Sequence, residues 1–144
     1  MVKVSQSSML DDRGAELSAC GTYRYRLWRT WDVGPAVAFI MLNPSTADAE
    51  RDDLTISKCM GFARRWGMSG IDVVNLYAYR TTYPKELESA AKRHRYGLAG
   101  APSVVGEYDG PRSLNDDAII EVAEGAGRVI VAWGCWPGPI EHRA

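Results

Sequence analysis

The sequence is poor in residues that commonly bind zinc, and the few it has are badly spaced for that purpose. Its three cysteines, Cys20, Cys59 and Cys135, lie far apart, and only two histidines, His94 and His142, accompany them. Structural zinc sites draw their ligands from closely spaced pairs of these residue types, so the usual zinc motifs are excluded. An odd number of separated cysteines instead favours reduced thiols, which are typical of cytosolic proteins.

Long apolar runs are also missing. The first twelve residues, MVKVSQSSMLDD, contain no apolar stretch of the length that a signal peptide needs. No window of the sequence approaches the roughly 20 consecutive apolar residues that cross a bilayer as a helix. We therefore expect a soluble, cytoplasmic protein that has no membrane partner.

The chain carries almost no net charge, which removes any global sign of nucleic-acid binding. The formal net charge is −1, but a local basic patch would be enough for a small enzyme to hold DNA. The densest basic cluster is Lys92, Arg93, His94 and Arg95. We predict that this cluster contacts phosphate, and the competing interpretation is a solvated helix end.

Common catalytic motifs are absent too. The sequence contains no P-loop, GxGxxG, GxSxG or HExxH pattern. Its 144 residues, of which 46% are hydrophobic, suit one compact domain with a substantial core. We expect that single domain to cover residues 1–144.

Three apolar runs at 37–42, 71–76 and 128–133 predict strands that are covered on both faces. Between the first two, Ile56, Cys59, Met60 and Ala63 recur at helical spacing. A strand, a helix and a strand of these lengths predict a parallel crossover. The fold class expected is α/β, a three-layer sandwich with a mostly parallel central sheet.

Two later helices are also predicted. Pro84 suits the first position of a short helix, and Asn115 can cap a helix whose first turn holds Asp116 and Asp117.

The segment before these runs has a different period. Residues 23–31, YRYRLWRTW, alternate in polarity, which predicts a half-exposed edge strand. Arg24, Arg26 and Thr30 would lie on its solvent-exposed face. Residues 1–20 are polar and are expected to be largely irregular.

Two amides follow predicted strands. Asn43 comes directly after the first apolar run, and Asn75 lies near the end of the second. Because the carboxyl ends of neighbouring parallel strands meet at one edge of a sheet, we predict that both side chains face a common cleft. Asn43 could orient a water molecule or read a base edge, or it could only close an Asx-Pro turn.

Four carboxylates crowd the segment after Asn43: Asp48, Glu50, Asp52 and Asp53. Such a group could hold Mg²⁺ or supply a general base. Capping of the following helix is the competing use of these side chains. We expect capping to prevail, so that no metal and no cofactor is required.

The sequence motifs also carry resemblances. The segments MLNPSTADAERDDLTISKCMGFARRWG, VVNLYAYRTTYPKEL and LNDDAIIEVA…RVIVAWG resemble the DUF1643 family of bacterial and phage proteins, and they cover most of residues 37–138 in the family's order. That family's activity is not settled. Its members are expected to continue to a His-Pro segment that the ending PIEHRA does not match, so the resemblance implies a domain shortened at its C-terminus.

A second resemblance suggests a chemistry. IMLNPS is similar to the water-activating loop of mismatch-type uracil-DNA glycosylases, which carries an Asn-Pro pair, and VVNLYAYRTTYP is similar to their later strand. RVIVAWG is similar to the strand before their DNA-clamping loop. The resemblance implies a uracil-DNA-glycosylase-like fold in which Asn43 positions water and Asn75 lies near the base.

We therefore predict a protein that recognises a nucleobase or nucleotide, in the form of a DNA-glycosylase-like or base-modifying hydrolase. Its expected partners are a nucleobase, a nucleotide or DNA, and its oligomeric state is left open. One alternative is a metal-dependent enzyme that processes nucleotides or phosphate through Asp48, Asp52 and Asp53. The other is a non-catalytic binding or inhibitor module.

The predicted site residues fall into three groups. The catalytic pair is Asn43 and Asp48. The substrate-binding residues are Pro44, Ser45, Thr46, Asp53, Asn75, Tyr77, Tyr79 and Arg80. The contacts to a nucleic-acid backbone are Lys92, Arg93 and Arg95.

Overall fold

The computed structural model describes residues 11–135, which form a five-stranded sheet, a two-stranded hairpin and three helices. The strands are β1 (Asp12–Leu17), β2 (Arg24–Thr30), β3 (Ala36–Met41), β4 (Gly70–Asn75), β5 (Tyr108–Asp109), β6 (Arg112–Ser113) and β7 (Arg128–Val131). The helices are α1 (Leu54–Arg65), α2 (Pro84–Arg95) and α3 (Leu114–Gly125). The order of strands in the large sheet is β1-β2-β4-β3-β7.

The large sheet is mixed rather than mostly parallel. β3 pairs in parallel with β4 and with β7, as the strand–helix–strand pattern predicts. β2, however, pairs antiparallel with both β1 and β4. The α/β class is therefore confirmed and the prediction of a mostly parallel sheet is wrong. The short links at 18–23 and 31–35 each reverse the chain, so β2 runs opposite to β1, β3 and β4.

The two faces of the sheet are covered by different helices. Ile56, Cys59 and Ala63 of α1 pack with Val37 and Phe39 of β3. On the other face, Val122 of α3 packs with Ala38, Ile40 and Val74. Successive residues of a strand point to opposite faces, so one apolar run supplies both cores. The predicted buried face of α1 is confirmed.

The helices begin where local sequence signals indicate, with one exception. The Asp53 carboxylate accepts from the Ile56 amide at 2.9 Å and caps α1, and Pro84 is the first residue of α2, as expected. The predicted cap of α3, Asn115, is wrong. The Ser113 hydroxyl caps that helix by accepting from the Asp116 amide at 3.1 Å, and Asn115 lies within the first turn.

β2 lies inside the sheet, so the predicted edge strand with a solvent-exposed face is wrong. Arg24 and Arg29 are 2% and 3% exposed. The pairing with β1 is irregular between Glu16 and Leu17, where the register passes over one residue of β2. After this bulge Tyr25 packs with α3 while Leu27 packs with α1, so the simple alternation breaks.

The ends of the sheet differ from expectation as well. β1 forms one edge although its residues lack a clear strand pattern. β7, predicted to be buried, is the last strand of the sheet in the described part of the chain and is largely exposed. Cys20, Cys59 and Cys135 are free thiols, as predicted. Within residues 11–135, no helix is long and apolar enough to cross a membrane.

Candidate functional site

The site is built at the carboxyl ends of β3 and β4. Met41, the last residue of β3, pairs with Asn75, the last residue of β4. Asn43 follows two residues after Met41. The two predicted amides therefore follow adjacent parallel strands at one edge of the sheet, where open α/β sheets commonly bind ligands.

Asn43 is half-buried, and its orientation is fixed by the backbone. Its Nδ2 donates to the carbonyl oxygen of Thr81 at 2.8 Å and to that of Pro44 at 3.1 Å. Carbonyl oxygens only accept hydrogen bonds, so both bonds require the amide nitrogen at this position. The side chain therefore offers its Oδ1, an acceptor, to a ligand.

Asn75 lies below the surface rather than in an open cleft. It is 1% exposed, and its Oδ1 lies 3.5 Å from the Arg24 Nη2. Its backbone oxygen accepts from the Asn115 Nδ2 at 2.9 Å. The edge of the sheet thus brings Asn43 and Asn75 to neighbouring strand ends, with only Asn43 reaching solvent.

Three arginines hold the segment 44–53, hereafter the 44–53 loop, by its backbone. Arg80, Arg24 and Arg29 all donate to its carbonyl oxygens. The acceptors are Ser45 at 3.3 Å and Thr46 at 3.4 Å for Arg80, Ala47 at 2.9 Å for Arg24, and Asp48 at 2.6 Å and Arg51 at 3.4 Å for Arg29. Arg80, predicted to bind substrate, is therefore occupied in positioning the loop that carries Ser45 and Thr46.

Arg24 is the residue of this site that sequence reasoning missed. No carboxylate in the described part of the chain forms an ion pair with it, and burial lowers its pKa to about 10. Its placement between Tyr23 and Tyr25 suggested a solvent-exposed arginine. A bulge, which the alternation does not reveal, turns it inward.

Three buried polar atoms meet around the end of β4 without a hydrogen-bond partner among the described residues. They are the Arg24 Nε, the Asn75 Nδ2 and the Asn115 Oδ1. Buried polar atoms in folded proteins nearly always have a partner, from protein, ordered water or ligand. Two unpaired donors and one unpaired acceptor therefore mark this position as one where a polar group could be bound.

The three aspartates of the loop, Asp48, Asp52 and Asp53, each have a structural contact. The Asp48 Oδ1 accepts from the amides of Arg51 at 2.8 Å and Glu50 at 2.9 Å, and these backbone bonds lower the pKa of Asp48. Asp52 pairs with Arg29 at 2.8 Å. A lowered pKa makes Asp48 a weaker base, so its predicted catalytic role has no support from these contacts.

No group of three or more His, Cys, Asp or Glu residues between residues 11 and 135 is arranged to hold a metal ion. Asp53, predicted to bind substrate, caps α1. The metal-dependent alternative therefore has no geometric basis in this part of the chain, and the expectation that no metal is required stays a prediction.

The remaining predicted substrate-binding residues divide by exposure. Tyr77 is 4% exposed and packs with Leu87 and Val104, so it belongs to the core. Tyr79 is half-buried in the same region. Pro44 is buried, whereas Ser45 and Thr46 reach the surface.

A hydroxyl pair lies beside Asn43. The Ser45 Oγ donates to the Thr82 Oγ1 at 3.1 Å, and Thr82 is exposed. Thr82 was not predicted, although it directly follows the Thr81 carbonyl that holds Asn43. The surface of the site therefore consists of one oriented amide acceptor and two hydroxyls.

The basic cluster lies away from this site. Lys92, Arg93 and Arg95 are exposed on the last turn of α2, where cations favour the helix dipole. α2 begins two residues after Thr82, and at roughly 1.5 Å per residue its length places Lys92 about 12 Å and Arg95 about 17 Å from that end of the helix. Lys92 also forms an ion pair with Glu88 at 2.7 Å. The predicted phosphate contact stays a prediction.

The chain was compared with known protein families, with curated proteins and with solved structures. The family model described as "Protein of unknown function (DUF1643)" matches residues 24–144. Comparisons with curated proteins and with solved structures gave no match.

Proposed function

The chain belongs to the DUF1643 family, and from the geometry of its own site we propose that it recognises a nucleobase or nucleotide at the carboxyl ends of β3 and β4. The observation that carries the proposal is the amide of Asn43. Two backbone carbonyls hold its Nδ2, so its Oδ1 is presented in one orientation. A fixed acceptor of this kind is suited to the N–H of a base or to the O–H of a water molecule.

The surroundings of Asn43 supply complementary groups. The hydroxyls of Ser45 and Thr82 can donate or accept, and base edges carry both donors and acceptors. Below them, the unpaired donors of Arg24 and Asn75 suit a carbonyl or phosphate oxygen. Both residues are buried, and the Arg24 Nη1 donates to the Ala47 oxygen of the 44–53 loop at 2.9 Å.

Base release is the specific chemistry that we propose. With a flipped nucleotide bound, the Oδ1 of Asn43 would accept a hydrogen bond from a water molecule. The oxygen of that water would then face the sugar C1′. The bond between C1′ and the base nitrogen breaks with its electrons going to the base, a bond from water to C1′ forms, and the water proton is transferred to the base. This reaction is the one that a uracil-DNA-glycosylase-like fold would serve.

The test compares binding with turnover. Labelled duplexes that contain one uracil or one mismatch are titrated with the protein, and released base is measured by chromatography. We expect weak, salt-sensitive binding that is stronger for the altered duplex than for a fully paired one. Asn43→Ala should abolish base release and leave most of the binding, because the amide acts on water.

Two controls make the result interpretable. Asn43→Ala removes two hydrogen bonds to backbone carbonyls, which cost about 1 kcal/mol each when lost, so its unfolding must be measured in parallel. Ser89→Ala, a change on the exposed side of α2, should leave both activities unchanged. Binding without base release would support the non-catalytic module, and equal affinity for altered and paired duplexes would overturn base recognition.

A further inference from the structure

A second surface, formed by α1 and β7, combines exposed aromatic rings with cations. It comprises Lys58, Phe62, Arg65 and Trp66 of α1 and its C-cap, together with Arg128 of β7, and we call it the α1–β7 face. Phe62 is 47% exposed and Trp66 is 39% exposed. We propose that this face binds a single strand of nucleic acid, a role that goes beyond base recognition at Asn43.

The rings of the α1–β7 face are already aligned. Phe62 and Trp66 stack with centroids 5.6 Å apart and planes inclined by 23°. Trp66 also stacks on the buried ring of Phe39, at 6.4 Å and 20°. Because Phe39 belongs to the core, the exposed rings are held on a rigid base. Guanidinium groups lie over both exposed rings, and nucleobases stack on guanidinium planes as well as on aromatic rings, so a base can extend these stacks.

The cations lie directly beside the rings. The Arg128 guanidinium lies 5.3 Å from the centroid of Trp66, and that of Arg65 lies 5.9 Å from the centroid of Phe62. Among the described residues, no carboxylate forms an ion pair with Lys58, Arg65 or Arg128. Three unpaired cations beside two rings are complementary to a strand whose phosphates alternate with bases.

A cavity of about 400 Å³ opens onto this face. Its walls include Phe39, Met41, Phe62, Trp66 and Ile130, and they also carry the polar side chains of Thr55 and Lys58. The Cys59 thiol also lines the cavity. Burial raises its pKa to about 11, so the thiol carries no charge at neutral pH. The volume lies within the usual range for small-ligand sites, which is enough for an unpaired base.

A single strand fits these features better than a duplex or an acidic peptide. In a duplex the base faces are covered by neighbouring bases, so they cannot stack on Trp66 or enter the cavity. An acidic peptide would pair with the cations but has no recurring flat group for the rings. Rings, cavity and cations together are explained by unpaired bases joined by phosphates.

The test uses three polyanions and fluorescence anisotropy. A labelled twelve-residue oligothymidylate is compared with an abasic strand of the same length and with polyglutamate. A single stacked base is expected to give the thymidylate at least about a fivefold advantage over the abasic strand. Equal affinity for the two strands, or equal competition by polyglutamate, would overturn the proposal.

Variants then locate the strand. Trp66→Leu should reduce the preference for thymidylate over the abasic strand. The surface pair Lys58→Gln/Arg128→Gln leaves the rings in place and should flatten the slope of log affinity against log salt by about 1.4, at about 0.7 for each phosphate contact. This second variant decides the outcome if Trp66→Leu fails to fold.

The double variant Lys85→Gln/Arg112→Gln, which removes the same charge from exposed residues of α2 and β6, serves as the control and should leave the slope unchanged. A decrease from this control as large as that from the α1–β7 pair would show a general electrostatic effect and overturn the proposal. Asn43→Ala should not alter thymidylate binding. Base release therefore reports on Asn43, and the preference for thymidylate over the abasic strand reports on the α1–β7 face. Failure of one proposal is distinguishable from failure of the other.

Discussion

Two buried arginines on β2 reach the same loop but are surrounded very differently. Arg29 pairs with the Asp52 carboxylate at 2.8 Å and donates to several backbone carbonyls. Arg24 has one short hydrogen bond, to the Ala47 oxygen at 2.9 Å, and a 3.5 Å contact with Asn75. Between residues 11 and 135, no carboxylate forms an ion pair with it. Burying a charge without a partner is costly, whereas burying a well-paired one is much less so.

The difference separates a structural residue from a candidate binding residue. Arg29 donates to partners within the fold, and these contacts account for its burial. Arg24 retains an unpaired Nε, and the Nδ2 of its neighbour Asn75 is unpaired as well among the described residues. A charged group whose own fold leaves it under-satisfied indicates a function in binding.

The largest effect should come from Arg29→Met. The change leaves the carbonyl oxygens of Gly14, Trp28 and Asp48 without this donor and leaves Asp52 with Arg13 as its remaining ion-pair partner. The free energy of unfolding should therefore fall by about 3–5 kcal/mol. Urea denaturation followed by tryptophan fluorescence measures this loss. A decrease below about 1 kcal/mol would show that the Asp52 ion pair does not hold the loop.

A smaller loss is expected from Asp53→Ala, which breaks neither arginine's hydrogen bonds. It removes the cap of α1, whose carboxylate accepts from the Ile56 amide, and such caps contribute about 1 kcal/mol. The same denaturation measurement, with Asp53→Asn as the variant that keeps a capping side chain, checks this value. If Asp53→Asn lost as much stability as Asp53→Ala, the cap would not be the cause.

Arg24→Met is the direct counterpart of Arg29→Met and should cost far less. It removes a buried cation that lacks a counter-ion, together with a single short hydrogen bond, so we expect a change within about 1 kcal/mol in either direction. Binding to the uracil-containing duplex, measured in the same titration as for Asn43→Ala, should nevertheless be lost. A loss of stability equal to that of Arg29→Met would abolish the distinction between the two arginines.

The smallest effect should appear as a pH dependence in the loop that both arginines hold. Backbone hydrogen bonds hold the pKa of Asp48 below its ordinary value of 3.8. The unfolded chain therefore takes up the proton first, and the stabilisation is complete above that value and is lost as the pH falls through the folded pKa. Between about pH 5 and pH 2, Asp48→Asn should lose less stability than the unchanged protein. Parallel curves for the two proteins would contradict this assignment.

Much of the fold was predictable because it rests on local patterns. The run at 37–42 gave β3, the helical spacing of Ile56 and Ala63 gave the buried face of α1, and Pro84 marked the start of α2. β1 was missed because the segment DRGAEL lacks the alternation that marks a strand. β1 is a strand because its backbone pairs antiparallel with β2, a contact that its own sequence does not reveal.

The site was predictable to a lesser extent. The position of Asn43 followed from the strand that precedes it, since the carboxyl ends of neighbouring parallel strands share an edge. The roles of Tyr77 and Arg80 did not follow. Whether a tyrosine joins the core or an arginine donates to a distant carbonyl depends on segments far away in the chain.

The sequence by itself determined the α/β class, the strands and helices around the site, and the placement of two amides after neighbouring strands. These features depend on the spacing of apolar residues and on turn residues, which act over a few positions. Only the tertiary structure decided that β2 is an inner strand, and that Arg24 and Arg29 are both buried while only Arg29 is paired. The reason is physical: burial and pairing of a charge depend on which distant groups surround it, and the neighbours of Arg24 come from the loop after β3 and the end of β4.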